Sequence, residues 1–418
     1  MPCLLAKHKN KVPVVLVATA KTRPLHIEER EFNYRMKRYG DLWDTIYSME
    51  NLRAAHAGAR ERKTYYREVK MVDKDPEKYL KEIQTMLVLE TYKTSDYVVF
   101  TRVEGRKLRT IYKLPYFPDR IVHWAIIRVI EPYILNSLTR DTYSALPRLN
   151  TKQPKRGTHA ALRRVKSAIR HDPENTQYCL KLDMKKYYQS IPHDRLKAAY
   201  EHLFKDKKLL TALFEIIDST PGERGVPIGN YISQYSGNLY LSKLDHWLKE
   251  VMRVKYLYRY MDDIVILHSS KEYLHKLFRE IEKFVANELD IQIKGNWQVF
   301  PTNVRGVDFL GYRVFKDYTL LRKSTALNYK RKMRDISKKV ERGSPINYGE
   351  WCSYNVYNGG ILKYCNSHDL MDKYGEPLKK PMRNYYLNHV KKGGKNHASN
   401  RKGKNSHRDS RASSNHRG

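Results

Sequence analysis

The run at 254–267, VKYLYRYMDDIVIL, constrains the fold of this chain more than any other stretch. Apolar and aromatic residues alternate on the way in, the β-branched run Ile264, Val265, Ile266 leads out, and the tight turn between them falls on Tyr260-Met261-Asp262-Asp263. This pattern predicts a hydrophobic β-hairpin with two adjacent carboxylates at its tip. Like charges side by side in apolar surroundings repel one another unless a cation neutralises them. Hard oxygen donors of this kind suit Mg²⁺, which commonly takes one or two carboxylates together with substrate phosphates. A lone Asp-Asp pair is more often a solvated hairpin turn, so the rest of the chain has to decide between the two.

A third carboxylate stands in the segment 178–191, YCLKLDMKKYYQSI. Asp183 closes the apolar run Cys179, Leu180, Leu182 and precedes a lysine-rich, aromatic stretch, which predicts a side chain at a strand terminus. Two such strands paired in one sheet would bring Asp183, Asp262 and Asp263 together. Two divalent ions roughly 3.5 to 4 Å apart would then clamp the attacking hydroxyl and the leaving pyrophosphate of an in-line phosphoryl transfer.

These segments, with two others in order, resemble a reverse transcriptase over about residues 36–321. Asp183 with its followers resembles motif A, Gly225-Val226-Pro227-Ile228-Gly229-Asn230-Tyr231-Ile232-Ser233-Gln234 resembles motif B, YMDD at 260–263 resembles motif C, and Phe309-Leu310-Gly311-Tyr312 resembles the primer-grip hairpin. Four ordered motifs are far more specific than any one of them. The resemblance implies an α+β right-hand polymerase fold, with fingers, a palm built on an antiparallel sheet with helices, and a helical thumb. It implies an RNA-directed DNA polymerase whose two Mg²⁺ ions, replaceable by Mn²⁺, are held by Asp183, the Met184 backbone carbonyl, Asp262 and Asp263.

The resemblance also assigns the substrate contacts. Lys107 and Arg109, in GRKLRTIYKLP with Arg106, would grip the triphosphate, and alternation along a strand puts Lys107 and Arg109 on one face. Tyr188 would stack under the sugar and reject a 2′-hydroxyl, with Tyr187 the competing packing residue. Ile228, Gly229 and Gln234 would border the nucleotide. Arg120, in PYFPDRIVHWA, together with Tyr260, Met261, Leu310 and Gly311, would meet template and primer. The alternatives are bland ones: Ile228 as an ordinary core residue at a sheet-to-helix junction, and the 106–109 cations as a solvated basic strand.

Motif B narrows the branch. Where many relatives carry Gln-Gly and then Ser-Pro, this chain has Ile228-Gly229 and then Ser233-Gln234, a form that resembles the enzymes of diversity-generating retroelements. That implies cDNA synthesis with errors at adenines and a small basic helical accessory protein, single or oligomeric, as partner beside template RNA, RNA/cDNA duplex and deoxynucleoside triphosphates. A reverse transcriptase of anti-phage defence or of a minimal group II-like element is the alternative within the same chemistry. A catalytically silent RNA-binding protein is the alternative from another class. One departure concerns motif D, where Trp297 stands in place of the lysine many relatives carry; Lys294 lies close by and is not counted among the catalytic residues.

Composition agrees. Lys+Arg 80 against Asp+Glu 45 leaves +35, and with 33 Tyr this suits a groove of cations and stacking rings for nucleic acid. Affinity resting on 6 to 10 phosphate contacts would fall roughly 10³- to 10⁵-fold between 50 and 200 mM salt. Ribosomal and RNA-chaperone proteins share such a balance, so the carboxylates carry the distinction. Cys3, Cys179, Cys352 and Cys365 show neither CxxC nor zinc-like spacing and are expected as reduced thiols. No apolar run reaches ~20 residues, so no membrane span is expected. The short apolar stretch 12–20 faintly resembles a signal peptide and is set aside, because a polymerase needs intracellular nucleotides; a cytoplasmic location follows.

The expected organisation is an N-terminal extension over 1–35, fingers with N-terminal helices over 36–174, palm over 175–321, a helical thumb over 322–390 and a basic low-complexity tail over 391–418 that should be disordered. Helices are expected over 42–59, 119–138, 195–218, 230–252 and 271–289. Neither an endonuclease extension nor an RNase H-like set of acidic residues is expected after the thumb.

Overall fold

A computed structural model of the chain describes residues 37–104, 107–144 and 156–390. The 1–35 extension, Arg106 and the 391–418 tail therefore lie outside the described residues.

Four strands make the central sheet: β3 (Tyr178–Leu182), β4 (Tyr256–Tyr260), β5 (Asp263–His268) and β6 (Gln298–Pro301), in the order β4-β5-β3-β6 and antiparallel throughout. Two strands precede them, β1 (Val98–Glu104) and β2 (Lys107–Lys113), which pair as a hairpin. Three short strands follow, β7 (Val307–Phe309), β8 (Tyr312–Val314) and β9 (Thr319–Leu321), as a separate antiparallel sheet.

Because side chains alternate across a pleated strand, the register Leu180↔Ile266 and Leu182↔Ile264 sends these four to one face of the central sheet and Cys179, Val265 and Leu267 to the other. The second face packs with Tyr258 and Phe300 against the helix Thr158–His171 and against Val307, Phe309, Tyr312 and Val314 of the small sheet. Both faces of the central sheet are thus covered, which is why its strands read as near-continuous apolar runs.

The helix Lys271–Leu289 lies where the periodicity predicts, opened by Ser270, whose hydroxyl accepts from the Tyr273 amide at 3.0 Å. Two expected helices are split instead, each at a capping side chain. The 42–59 run breaks into Trp43–Tyr47 and Met49–Ala59, with Ser48 Oγ accepting from the Asn51 amide at 3.2 Å. The 195–218 run breaks into His193–Leu203 and Lys207–Asp218. Here Asp206 caps two helices at once: Oδ1 accepts from the Leu209 amide at 3.2 Å, and Oδ2 from the Leu42 and Trp43 amides at 2.8 and 3.0 Å. That long-range use of one carboxylate outweighs local periodicity.

The expected helix at 119–138 spans Ile121–Ser137, and that at 230–252 spans Tyr231–His246 and runs on through Trp247–Val251. The two pack together, and the former also packs on Met49–Ala59. Beyond residue 322, the helix Lys323–Glu341 buries Tyr329, Met333 and Ile336 against Leu362, Leu378 and Met382 and leaves Lys323, Arg331, Lys332, Arg334 and Lys338 exposed. Cys179, Cys352 and Cys365 are free thiols. Among the described residues, no helix is long and apolar enough to cross a membrane.

Candidate active site

Asp183 stands one residue past the end of β3, and the β3–β5 register continued by that residue places it opposite Asp263. Its segment is held from the other side: the Lys294 amide donates to the Asp183 carbonyl at 2.8 Å, the Lys185 amide to the Gln292 carbonyl at 2.8 Å, and Met184 bridges Ile293 between them. Met184 itself is buried. The tip of the β4–β5 hairpin is a two-residue turn, closed by the pair Tyr260↔Asp263, with Met261 left-handed at φ +55°.

This geometry sets the Asp183 and Asp262 carboxyl groups beside one another. Burial and the neighbouring Asp183 carboxyl push the Asp262 pKa up to about 7. Two carboxyls so close cannot both ionise without a counter-charge. Asp263 differs in surroundings: its Oδ1 lies 3.6 Å from Lys181 Nζ, and it lines a polar cavity of about 350 Å³ with Lys181, Asp183, Arg305, Asp308 and Arg322. Burial pushes its pKa up to about 6, with Lys181 opposing. Oδ1 of Asp263 is buried without a hydrogen-bond partner. The structure thus gathers the three aspartates at one end of the sheet, with Asp183 and Asp263 lining the same cavity.

Among the described residues, no three His, Cys, Asp or Glu side chains form a ready cation cage. Neighbouring carboxylates, one of them with a buried oxygen that lacks a hydrogen-bond partner, nevertheless fit a hard divalent ion of the Mg²⁺ type, whose remaining ligands come from water and substrate phosphates.

The two tyrosines after Asp183 separate clearly. Tyr187 is buried and its hydroxyl donates to the Gly237 carbonyl at 2.5 Å. Tyr188 is half-buried beside Asp262, and both burial and that carboxylate raise its pKa. Its ring lies along the helix at Gly237, where an added Cβ would come within 3.3 Å of it.

Motif B meets the β1–β2 hairpin through the backbone. The Tyr112 amide donates to the Ile228 carbonyl at 3.2 Å, and Gly229, at φ +125°, approaches so closely that a Cβ would lie 3.0 Å from the Tyr112 carbonyl oxygen. Ile228 is half-buried, and Gln234 is exposed on the following helix. Lys107 and Arg109 occupy β2 opposite Glu104 and Arg102. Gly229 lines a cavity of about 200 Å³ with Lys63, Tyr66, Lys113 and Arg120. Arg120 is fixed there by Nε donating to the Ala59 carbonyl at 3.1 Å, and burial lowers its pKa. Leu310 and Gly311 form the β7–β8 turn, both left-handed at φ +52° and +88°, and Tyr260 and Met261 are half-buried at the β4–β5 tip.

Lys294 was weighed for motif D and left out of the expected catalytic set. Lys294 Nζ lies 3.8 Å from Asp183 Oδ2, whereas Trp297 stacks on Phe278 at 3.7 Å between ring centroids, so the tryptophan is a packing residue and the lysine is the cation nearer the chemistry. Arg259, by contrast, was not among the expected site residues. The available signal was a cation at an inward position of the apolar run YLYRY.

An antiparallel sheet that carries acidic side chains on a hairpin tip and on the adjacent strand end, flanked by a basic helical lobe, defines a palm of the nucleotidyl-transfer class. Residues 104–314, half of the chain, match the family Reverse transcriptase (RNA-dependent DNA polymerase), and the chain belongs to that family. Its fold is accordingly the right-hand polymerase fold. The chain is 22% identical to the COX1/OXI3 intron 2 protein of Saccharomyces cerevisiae, over 33% of this chain, and spans only 24% of that relative's length. It is also similar to apo telomerase from Candida tropicalis, truncated from the C-terminal domain, at 12% identity and a TM-score of 0.41, over 56% of this chain and 55% of that one.

Proposed function

We propose that this chain is an RNA-directed DNA polymerase that extends a primer on an RNA template by nucleotidyl transfer. The observation that carries the reading is the juxtaposition of Asp183 and Asp262, which stand 79 positions apart in the sequence and come together at the open end of one sheet. A silent nucleic-acid-binding protein has no use for two carboxyls that repel each other.

In the proposed mechanism, Asp183 and Asp262 present carboxylate oxygens beneath the incoming nucleotide. A bound pair of Mg²⁺ ions, or Mn²⁺ in their place, supplies Lewis acidity to the primer hydroxyl and charge neutralisation to the pyrophosphate. The Met184 backbone carbonyl and the Asp263 carboxylate would join Asp183 and Asp262 in holding such ions. The Lys294 ammonium offsets the Asp183 charge until substrate arrives. Tyr188 offers its ring to the sugar and excludes a 2′-hydroxyl, while Lys107 and Arg109 hold the triphosphate. Arg120, Tyr260, Met261, Leu310 and Gly311 guide template and primer, and the cations of Lys323–Glu341 follow the backbone of the A-like product duplex. Tyr188→Ala is expected to raise ribonucleotide incorporation about 10-fold or more, read as the ratio of kcat/KM values for matched ribo- and deoxynucleotides.

Within this chemistry, we infer a diversity-generating retroelement enzyme, because the Ile228-Gly229 and Ser233-Gln234 pairs resemble that branch. Ile228 sets apolar bulk beside the templating pair where relatives carry an amide, which weakens geometric discrimination of the incoming base. The similarity to an intron 2 protein favours a second reading, a minimal intron-type reverse transcriptase. One assay addresses both: extension on RNA with Mg²⁺, with and without neighbouring RNA and a basic accessory protein, followed by cDNA sequencing. Errors concentrated at template adenines and reduced by Ile228→Gln support the first reading. Uniformly low errors support the second, and absence of any extension contradicts the polymerase assignment.

A further inference from the structure

Arg259 is buried completely inside the palm, as are Asp245 and Asn238. It lies on β4, two residues before the left-handed Met261. Its guanidinium is shared between two tasks. One edge is bidentate to Asp245, with Nε donating to Oδ1 at 2.7 Å and Nη2 to Oδ2 at 2.6 Å. The remaining nitrogen, Nη1, donates to the Met261 carbonyl at 2.9 Å and to Asn238 Oδ1 at 3.2 Å.

Asn238 also grips Met261 from the other end, its Nδ2 lying 3.5 Å from the Met261 sulfur. Both helix residues are anchored in turn: Thr142 Oγ1 donates to Asp245 Oδ2 at 2.8 Å and Ser144 Oγ to Asn238 Oδ1 at 2.7 Å. The same 141–144 segment pairs with the free edge of β4, Arg259 N donating to the Asp141 carbonyl at 2.9 Å and Tyr143 N to the Arg259 carbonyl at 2.7 Å.

Asn238 and Asp245 are seven residues apart on the helix Tyr231–His246 and so share a face. Gly237, on the next position, is where Tyr187 and Tyr188 pack. One rigid helix therefore locates both the sugar-facing tyrosine and, through Arg259, the backbone of the acidic turn.

We propose that Arg259 is a positioning residue for the catalytic turn. By holding the Met261 carbonyl, it fixes the bend that aims Asp262 at Asp183, and the buried Asp245 carboxylate serves to orient the guanidinium fork for that task. The proposal rests on the polymerase reading of Asp183 and Asp262. It requires Arg at 259, because a lysine ammonium lacks the planar fork that serves Asp245 and the Met261 carbonyl at the same time. The alternative is that the ion pair only fills and satisfies the palm interior.

The test uses the full chain carrying Arg259→Met and Asp245→Leu together, since a buried ion pair exchanged for apolar residues of similar volume commonly leaves stability intact. Single-nucleotide extension on an RNA template should show kcat lowered about 10- to 100-fold, the cost typical of an ångström-scale misplacement, with KM for primer–template unchanged. The Mg²⁺ concentration giving half-maximal rate should rise, and Mn²⁺ binding to the enzyme–primer–template complex, read by electron paramagnetic resonance, should weaken. A folded double variant with wild-type kcat and wild-type metal dependence overturns the proposal.

Should the double variant not fold, Arg259→Lys, which keeps the charge opposite Asp245, carries the test. A drop in kcat with raised Mg²⁺ demand supports the role, and full activity overturns it. Asp262→Asn run alongside separates the two layers: if it stays active, the polymerase reading fails, whereas a dead Asp262→Asn beside a normal Arg259 variant removes only this inference.

Discussion

Two hairpin turns of the same length, β4–β5 and β7–β8, are held in different ways. The β7–β8 turn places Leu310 and Gly311 at φ +52° and +88°, and the β4–β5 turn places Met261 at φ +55°. Glycine at the second position of the first turn meets the backbone requirement within the turn itself, as tight hairpins usually do. In the other turn the left-handed position is the first one, and it holds Met261 rather than glycine. Its bend is instead gripped from beneath by Arg259 and Asn238. Where a side-chain-bearing residue stands in the left-handed position that glycine favours, buried polar contacts supply the geometry.

The largest expected effect separates the turns by chemistry. Asp262→Asn should lower primer extension by at least about 10³-fold, the equivalent of several kcal/mol of transition-state charge stabilisation, while thermal melting and duplex affinity stay near wild type. Comparable activity in the variant would place the chemistry elsewhere. Gly311→Val tests the other turn. A β-branched side chain at φ +88°, with Thr325 Oγ1 3.4 Å from the new Cβ, should cost about 1–3 kcal/mol of stability, measured by denaturant unfolding. An unchanged midpoint would mean that this turn has a second source of support.

The metal-free protein should show the acidic turn in its pH dependence. The folded chain holds the Asp262 proton up to about pH 7 and that of Asp263 up to about 6, whereas the unfolded chain releases both near pH 4. The folded state binds more protons in that window, so stability should fall as pH rises from about 4 to about 7. Mg²⁺ added at pH 8 should restore it. Melting temperatures flat across this range, with and without Mg²⁺, would show that the carboxyl groups are not beside one another. The smallest effect is expected for Met261→Gly, where relief of the left-handed residue and loss of the sulfur contact oppose each other, leaving a net change within about 1 kcal/mol. A much larger loss would show that the Met261 side chain, rather than its carbonyl, is what the network holds.

The hairpin around Asp262, the strand that ends just before Asp183 and the helix Lys271–Leu289 were legible because each follows from local periodicity and a local turn or cap. The split at Asp206 was not, since the carboxylate's second partners, the Leu42 and Trp43 amides, lie more than 160 residues away. The site divides along the same line. Acidic residues on strand ends announce themselves, but their support comes from Arg259, Asn238, Asp245 and the 141–144 segment, joined only in three dimensions. Lys294 and Trp297 show the limit from another side: three positions apart in one short segment, they take opposite surroundings, and only the register with Met184 and the helix beneath decides which faces Asp183.

The central claim is that Asp183 and Asp262 form one cation-binding pair. Mn²⁺ titration of the enzyme with primer–template and a non-reactive nucleotide, followed by electron paramagnetic resonance, tests it directly. Asp183→Asn and Asp262→Asn should each weaken binding by at least about 10-fold, equivalent to about 1.4 kcal/mol, and the double variant should bind no more weakly than a shared site allows. Wild-type affinity in either single variant would contradict the account.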